Sequence, residues 1–395
     1  MKLQEVCEFI VDCPHSTAND EGKGYPLIRT PNIGKGRLIL DGVHRVSEQV
    51  YNQRNARGIP QDDDLIFARE APAGNVAIIK NGEKVCLGQR TVLIRPNKSL
   101  VDPDFLTYYL LAPQQQYGLT GTANGATVAH VNLPTIRNLK IELPSIEAQK
   151  SIGNILKSID DLIENNKKQI KLLEESAERL YKEWFVDLRF HGYENSILVD
   201  GIPNGWKRYV FSEKVTIMGG GTPKTDNAAY YNGDIPFYSP KDNDGSFFAF
   251  DTITHISVEG LNNCNSQLFP ENTIIITARG TVGKTALLAV PMAMNQSCYA
   301  LKCDELNAPY YLFFALRQEI QALKTMANGG VFDTIIVKTF DRIHITIPKE
   351  ETLRSFQNMV SPIMEQIQKK AKIIMYLTES KNRLLPKLMN GEIEI

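Results

Sequence analysis

Two stretches of the chain carry one pattern of apolar and polar positions. From Ile159, the residues Ile163, Asn166, Ile170, Leu173, Ala177, Leu180 and Trp184 recur at steps of four and three. Ile363, Ile367, Lys370, Ile374, Leu377, Lys381, Leu384 and Leu388 do the same. Sustained spacing of this kind, with charges elsewhere, predicts helices that pack on one another as a coiled coil. An amphipathic helix lying on its own domain is the simpler alternative. No Gly or Pro falls between Asp160 and Trp184 or between Ile363 and Leu385, and Pro386 lies near the second helix's end. The roughly 39 residues from Ile146 to Trp184 would form a rod about 60 Å long. Asn166, Lys370 and Lys381 sit on the stripe, where a polar residue either fixes register and partner or faces solvent.

Before each long helix the pattern changes to short β-type runs bounded by Gly, Pro and Asn. Leu65–Phe67, Val76–Ile79 and Val92–Ile94 read as strands in the first half, Thr273–Thr277 and Ala286–Val290 in the second. Pro103–Leu111 and Pro309–Leu316 read as short helices opened by proline. Leu139–Pro144 alternates like an edge strand, and Ile343–Pro348 repeats it.

The halves are copies. Shifted by 204 residues, Gly125 falls on Gly329, Thr135 on Thr339, Ile141 on Ile345, Pro144 on Pro348, Ser151 on Ser355 and Arg179-Leu180 on Arg383-Leu384, without a gap. Upstream, with small gaps, Leu65–Arg69 resembles Ile275–Arg279, which pairs Arg69 with Arg279. Gly74 and Gly283 follow, Gln89 matches Gln296, and Phe105–Leu110 parallels Tyr311–Leu316. Residues 1–60 and 205–265 align poorly, so each module is expected to combine a shared scaffold with a divergent front part.

The predicted fold class is therefore α+β. Two tandem mixed α/β recognition domains, 1–144 and 191–348, are each followed by a long-helix region, 145–190 and 349–395. In chain order the helices would pair antiparallel, with an approximate two-fold axis relating the modules. A two-fold protein suits a two-part duplex DNA site with inverted halves, and unlike front parts imply unlike halves.

Composition adds limits. No apolar run is long enough for a membrane helix, and the N-terminus lacks the layout of a signal peptide. The six cysteines form no C-x-x-C pair and read as free buried thiols of a cytoplasmic protein. The net charge of −1 argues against a polybasic binder but allows a basic face. The histidines have no zinc spacing. Asp62-Asp63-Asp64 reads as a solvated turn rather than a metal site. Gly280–Thr285 resembles a phosphate loop, but Ala278 stands where the Walker pattern needs Gly. It reads as a turn, and Gly219-Gly220-Gly221 as a flexible loop. No Gly-rich cofactor loop paired with an Asn/Asp-Pro-Pro-aromatic motif is present. A self-contained nuclease or methyltransferase with unrecognised motifs, and a coiled-coil scaffold that does not bind DNA, are the rival readings.

The strongest family signals are Leu143–Ile152 with Ile159–Glu164, the tail Arg383–Ile393, and Thr277–Lys284 with Met294-Asn295-Gln296. In that order and in duplicate, they resemble the specificity subunit of type I restriction–modification systems over essentially the whole chain. The resemblance implies two target recognition domains and helices that dock two methyltransferase subunits, with restriction subunits joining through them. It implies adenine methylation by the complex, with S-adenosylmethionine, ATP and magnesium on the partners and no cofactor on this chain. Leu353 stands where the first copy has Gln149, a departure that weakens identical docking by both helices.

DNA binding needs cations for phosphates and amides or guanidiniums for base edges. The candidates are Arg29, Asn32, Lys35, Arg37, Arg69 and Asn124 in the first domain, and Arg208, Lys224, Lys241, Asn243, Arg279 and Lys284 in the second. Arg69 and Arg279 suit phosphate contact or a structural ion pair equally well.

Overall fold

The computed structural model describes residues 1–121, 130–303, 306–326 and 334–395. Asn124, and the glycine loops around it and around Asn328, lie outside the described residues. The chain divides into two compact units, Met1–Asn165 with Ile373–Ile395, and Asn166–Lys372.

In the first unit an antiparallel sheet runs in the order Cys7–Asp12, Thr91–Pro96, Leu65–Ala68, Val76–Ile78. Alternate residues leave it on opposite sides. Leu65 and Phe67 join Phe105, Leu106 and Tyr109 of the helix Pro103–Leu111 in one core. Ile66 and Ala68 join Ile28, Ile33 and Leu87 in another. Burial on both faces explains why these strands read as continuous apolar runs. A smaller sheet places Tyr25–Ile28 between Arg45–Val46 and Cys86–Leu87.

The second unit repeats both sheets. Thr216–Gly219, Cys298–Lys302, Ile274–Thr277 and Thr285–Leu288 lie in order, with Phe248–Ala249 added at the edge. Tyr231–Tyr238 lies between His255–Ile256 and Ala293–Met294. The helix expected at Pro309–Leu316 runs on to Met326.

Strand pairing corrects the sequence alignment by one residue. Ile66 stands opposite Ala77 and Leu93. Ile275 stands opposite Ala286 and Ala300. Arg69 N–H donates to Arg90 O, and Ala278 N–H donates to Ser297 O. Arg69 therefore corresponds to Ala278, and Arg279 to Glu70.

The front parts also share a frame, contrary to the expected divergence. Leu27 N–H donates to His44 O as Phe237 N–H does to Thr254 O. Ile28 lies beside Leu87 as Tyr238 lies beside Met294. Pro26 opposes Arg45 as Pro236 opposes His255. Apart from Pro26 and Pro236, what is kept is mainly backbone pairing, so residue matching misses the similarity.

The central helix spans Ile146–Tyr181 and ends in a wider π turn, Lys182–Val186. The C-terminal helix spans Glu350–Met389, continuing through Pro362 and Pro386. Within the first unit, segments of the two helices meet. Ile152 and Leu156 share a core with Leu388, with Leu384 packed against it, while Asp160 lies beside Lys381. That order makes the pair antiparallel. Ile159, Ile163, Ile374 and Leu377 are half-buried.

Within the second unit Phe356 packs on Trp184 and Phe185, with ring centroids 6.0 and 4.9 Å away. Ala177 and Ile367 are buried there, and Ile170, Leu173, Leu180 and Ile363 pack against the same core. Asn166 is buried and Lys370 half-buried.

Three local expectations are corrected. Asp62 and Asp63 lie in a turn with Asp62 exposed, as read, but Asp64 is buried and all three are engaged. Asp64 holds Arg95 through both oxygens at 2.8 and 2.7 Å, Asp63 pairs with Lys80 and Lys98, and Asp62 accepts Gly82 N–H. Gly220 and Gly221 are tightly packed, since a Cβ at either would lie 2.2 Å from Asn295 O or 2.6 Å from Asn265 N. Leu139–Pro144 makes only the bridge Lys2–Lys140, whereas His344–Ile347 forms a true strand with Lys207–Val210.

Candidate nucleic-acid interface

In each unit, the loop leaving the middle strand of the smaller sheet turns at once through a short 3-10 turn, Thr30–Asn32 or Pro240–Asp242. Asn32 and Asp242 close these turns by accepting Arg29 N–H and Ser239 N–H at 3.1 and 2.8 Å. Asn32 is buried and its other amide end donates to Ile39 O, so it holds the loop. Asn243 is likewise buried, donating to Tyr238 Oη at 2.8 Å and accepting Gly245 N–H.

Arg29 lines a recess of about 280 Å³ with Thr17, Gln89 and Arg90. Its Nε is buried and has no acceptor among the described residues. Lys35 is exposed, and its carbonyl accepts from Lys381 Nζ at 3.2 Å. Arg37 is half-buried and pairs with Asp161 at 2.6 Å.

In the second unit Lys241 is exposed at the turn. Thr281 Oγ1 donates to Pro240 O at 3.3 Å, and Lys284 Nζ donates to Asn243 O at 3.3 Å. These bonds bring the turn of Lys241 against the connection Arg279–Lys284, the loop whose glycines mimic a phosphate loop. Gly283 N–H donates to Thr277 O, which makes the connection a tight link between strands. Arg279 is exposed, as is Lys224 in a separate loop. Arg208 is exposed on the strand paired with His344–Ile347, away from the turn.

Arg69 is the buried cation among the candidates. It donates from Nε to Val131 O, pairs with Asp12 at 2.7 Å and lies 3.0 Å from His130 Nε2. Its geometry is that of a structural ion pair, whereas Arg279 is presented to solvent.

Gln89 and Gln296 were legible as a repeated pair, yet neither was among the candidates. Arg90, Thr17 and Thr222 carried no sequence signal of their own. Burial pushes the Cys86 thiol up to about 11 and the Cys7 and Cys298 thiols up to about 12. Among the described residues no group of three His, Cys, Asp or Glu is placed to hold a metal, and no helix is long and apolar enough to cross a membrane.

The family model described as "Type I restriction modification DNA specificity domain" matches residues 1–175 and 203–382. The type I restriction enzyme MjaIX specificity subunit of Methanocaldococcus jannaschii is 28% identical over 100% of this chain and 93% of its own length. The HindI specificity subunit of Haemophilus influenzae is 24% identical, over 84% of this chain and 86% of its own. The crystal structure of a type I restriction–modification system S subunit from M. genitalium shares the fold, with TM-score 0.58, 14% identity, and coverage of 98% of this chain and 95% of that one.

Proposed function

Because the chain belongs to the type I restriction–modification DNA specificity family, we propose that it reads an asymmetric two-part duplex DNA target, one part with each globular unit. The observation that carries this is the pairing of one frame with two sets of side chains. Equivalent turns present Arg29 and Thr30 in one unit and Ser239 and Lys241 in the other. A fixed backbone frame with exchanged tips is how a single architecture reads different base sequences, since phosphate contacts position and side chains specify.

The long helices dock two modification subunits, through which restriction subunits join. S-adenosylmethionine, ATP and magnesium belong to those partners, and the assembly works in the cytoplasm. This chain supplies recognition and no catalysis.

The test is selection from a pool of randomised duplexes by the full chain assembled with its modification subunits. The expected result is enrichment of a motif with two defined parts and an undefined spacer. Enrichment of a single undivided motif, or methyl transfer by the purified chain alone with S-adenosylmethionine, would overturn the proposal.

A further inference from the structure

One side-chain contact recurs at equivalent places in the two units. Thr17 Oγ1 donates to Gln89 Oε1 at 3.2 Å. Thr222 Oγ1 donates to Gln296 Oε1. The two glutamines occupy the same place in the frame. Gln89 follows Gly88, whose N–H donates to Ile28 O, and Gln296 follows Asn295, whose N–H donates to Tyr238 O. Two residues later Thr91 pairs with Ala68, and Cys298 with Thr277.

The contact contributes little to folding. Thr17, Thr222 and Gln296 are exposed and Gln89 is half-exposed, and a solvent-accessible hydrogen bond is worth little net stability. What it does is orient the carboxamide. With the oxygen tied to the threonine hydroxyl, the NH2 group makes no hydrogen bond of its own among the described residues, and the oxygen keeps one lone pair. An oriented amide with one donor and one acceptor free matches adenine, which presents N7 and N6–H side by side in the major groove. Arg29, with its orphaned Nε, lines the same recess as Gln89 and supplies positive charge for a flanking phosphate, whereas Arg90 beside it is paired with Glu70 at 2.6 Å.

Resting on the function proposed above, we infer that Gln89 and Gln296 are specificity-determining residues, each reading one adenine in its own half of the target. Thr17 and Thr222 act through them as positioning residues. The units diverge at Arg29/Ser239 and Pro31/Lys241 but keep this amide, so both halves contain an adenine while differing elsewhere.

The experiment is duplex-pool selection with the assembled complex carrying Gln89→Ala, Gln296→Ala, Thr17→Val or Thr222→Val. Affinities are then measured on targets bearing 7-deazaadenine at single positions. Gln89→Ala is expected to lose roughly 10- to 100-fold discrimination at one adenine of one half. Gln296→Ala should do so at one adenine of the other half, with all other positions kept. The threonine variants should show the same loss in weaker form. Removing N7 at that adenine should weaken the unaltered complex and leave the glutamine variant unmoved. Affinity lost equally on all sequences, full discrimination in both glutamine variants, or both variants affecting the same half would overturn the inference. A complex without any sequence preference before substitution would overturn the function itself, and this inference with it.

Discussion

Lys381 holds its ammonium 2.7 Å from both carboxylate oxygens of Asp160 inside the first unit. Tyr108 donates its hydroxyl to the same carboxylate at 2.7 Å, and the ammonium lies 4.9 Å over the tyrosine ring. Burial lowers the proton affinity of Lys381, and Asp160 restores part of it. At the repeat-related positions the second unit has Ala177, Met364 and Phe314, all buried. The same helix–helix contact is thus ionic in one unit and apolar in the other.

This contrast predicts opposite outcomes for partial and complete replacement. Lys381→Ala leaves a buried, uncompensated carboxylate and should cost about 3–5 kcal/mol. The triple variant Tyr108→Phe, Asp160→Met, Lys381→Ala copies the second unit and should lie within about 2 kcal/mol of the parent. Denaturant unfolding of the three proteins measures both. A triple variant as unstable as the single one would show that the apolar set does not fit the first unit.

Arg69 and Arg279 look alike in sequence and should behave differently. Arg69→Ala strips Asp12 of its buried partner and should lower stability by about 3 kcal/mol. Arg279→Glu and Lys241→Glu should leave the unfolding midpoint unchanged, but weaken DNA binding of the complex and shallow its salt dependence by about one counterion each. A stable Arg69→Ala protein, or unaltered binding by both charge reversals, would contradict the placement described here.

Phe356 contacts Tyr181, Trp184, Phe185 and Tyr311 in the core of the second unit. Phe356→Ala should cost about 3–5 kcal/mol. Phe356→Leu, which fills most of the space, should cost less than half of that by the same denaturant measurement.

Burial raises the Glu174 carboxyl above its usual range, although Phe247 N–H and Arg317 work against the shift. The folded state then holds a proton that the unfolded chain has released, so stability falls as pH rises through the window between the two values. Glu174→Gln keeps an oxygen for Phe247 N–H and removes that loss. Its unfolding temperature should exceed the parent's at neutral pH, and the gap should close near pH 4. An equal gap at both pH values would assign the effect to something other than ionisation.

The sequence made some of this legible and hid the rest for identifiable reasons. The long helices showed because Ile170, Leu173, Ile363 and Ile367 keep a helical period that packing requires. Pro103–Leu111 showed through its initiating proline, and the apolar strands through burial on both faces. The one-residue slip at Arg69 arose because Ala68-Arg69 matches Ala278-Arg279 by identity, while the run Ile274–Ile276 fits the apolar run of the first copy in either register, and only the ladder decides. The shared front frame stayed hidden because parallel pairing of Ile28 with Leu87, or Tyr238 with Met294, uses backbone groups and leaves side chains free to change. Gln149 and Leu353 show the same freedom: Gln149 accepts Asp102 N–H at 3.0 Å, whereas Leu353 enters the apolar core of its unit.

Genome-wide mapping of methylated bases, in cells with and without this gene, tests the central claim most directly. Methylation is expected at one two-part asymmetric motif that disappears on deletion and changes in one half alone when Gln89 or Gln296 is altered. Methylation that persists without the chain, or a motif that changes in both halves when one of these glutamines is altered, would contradict it.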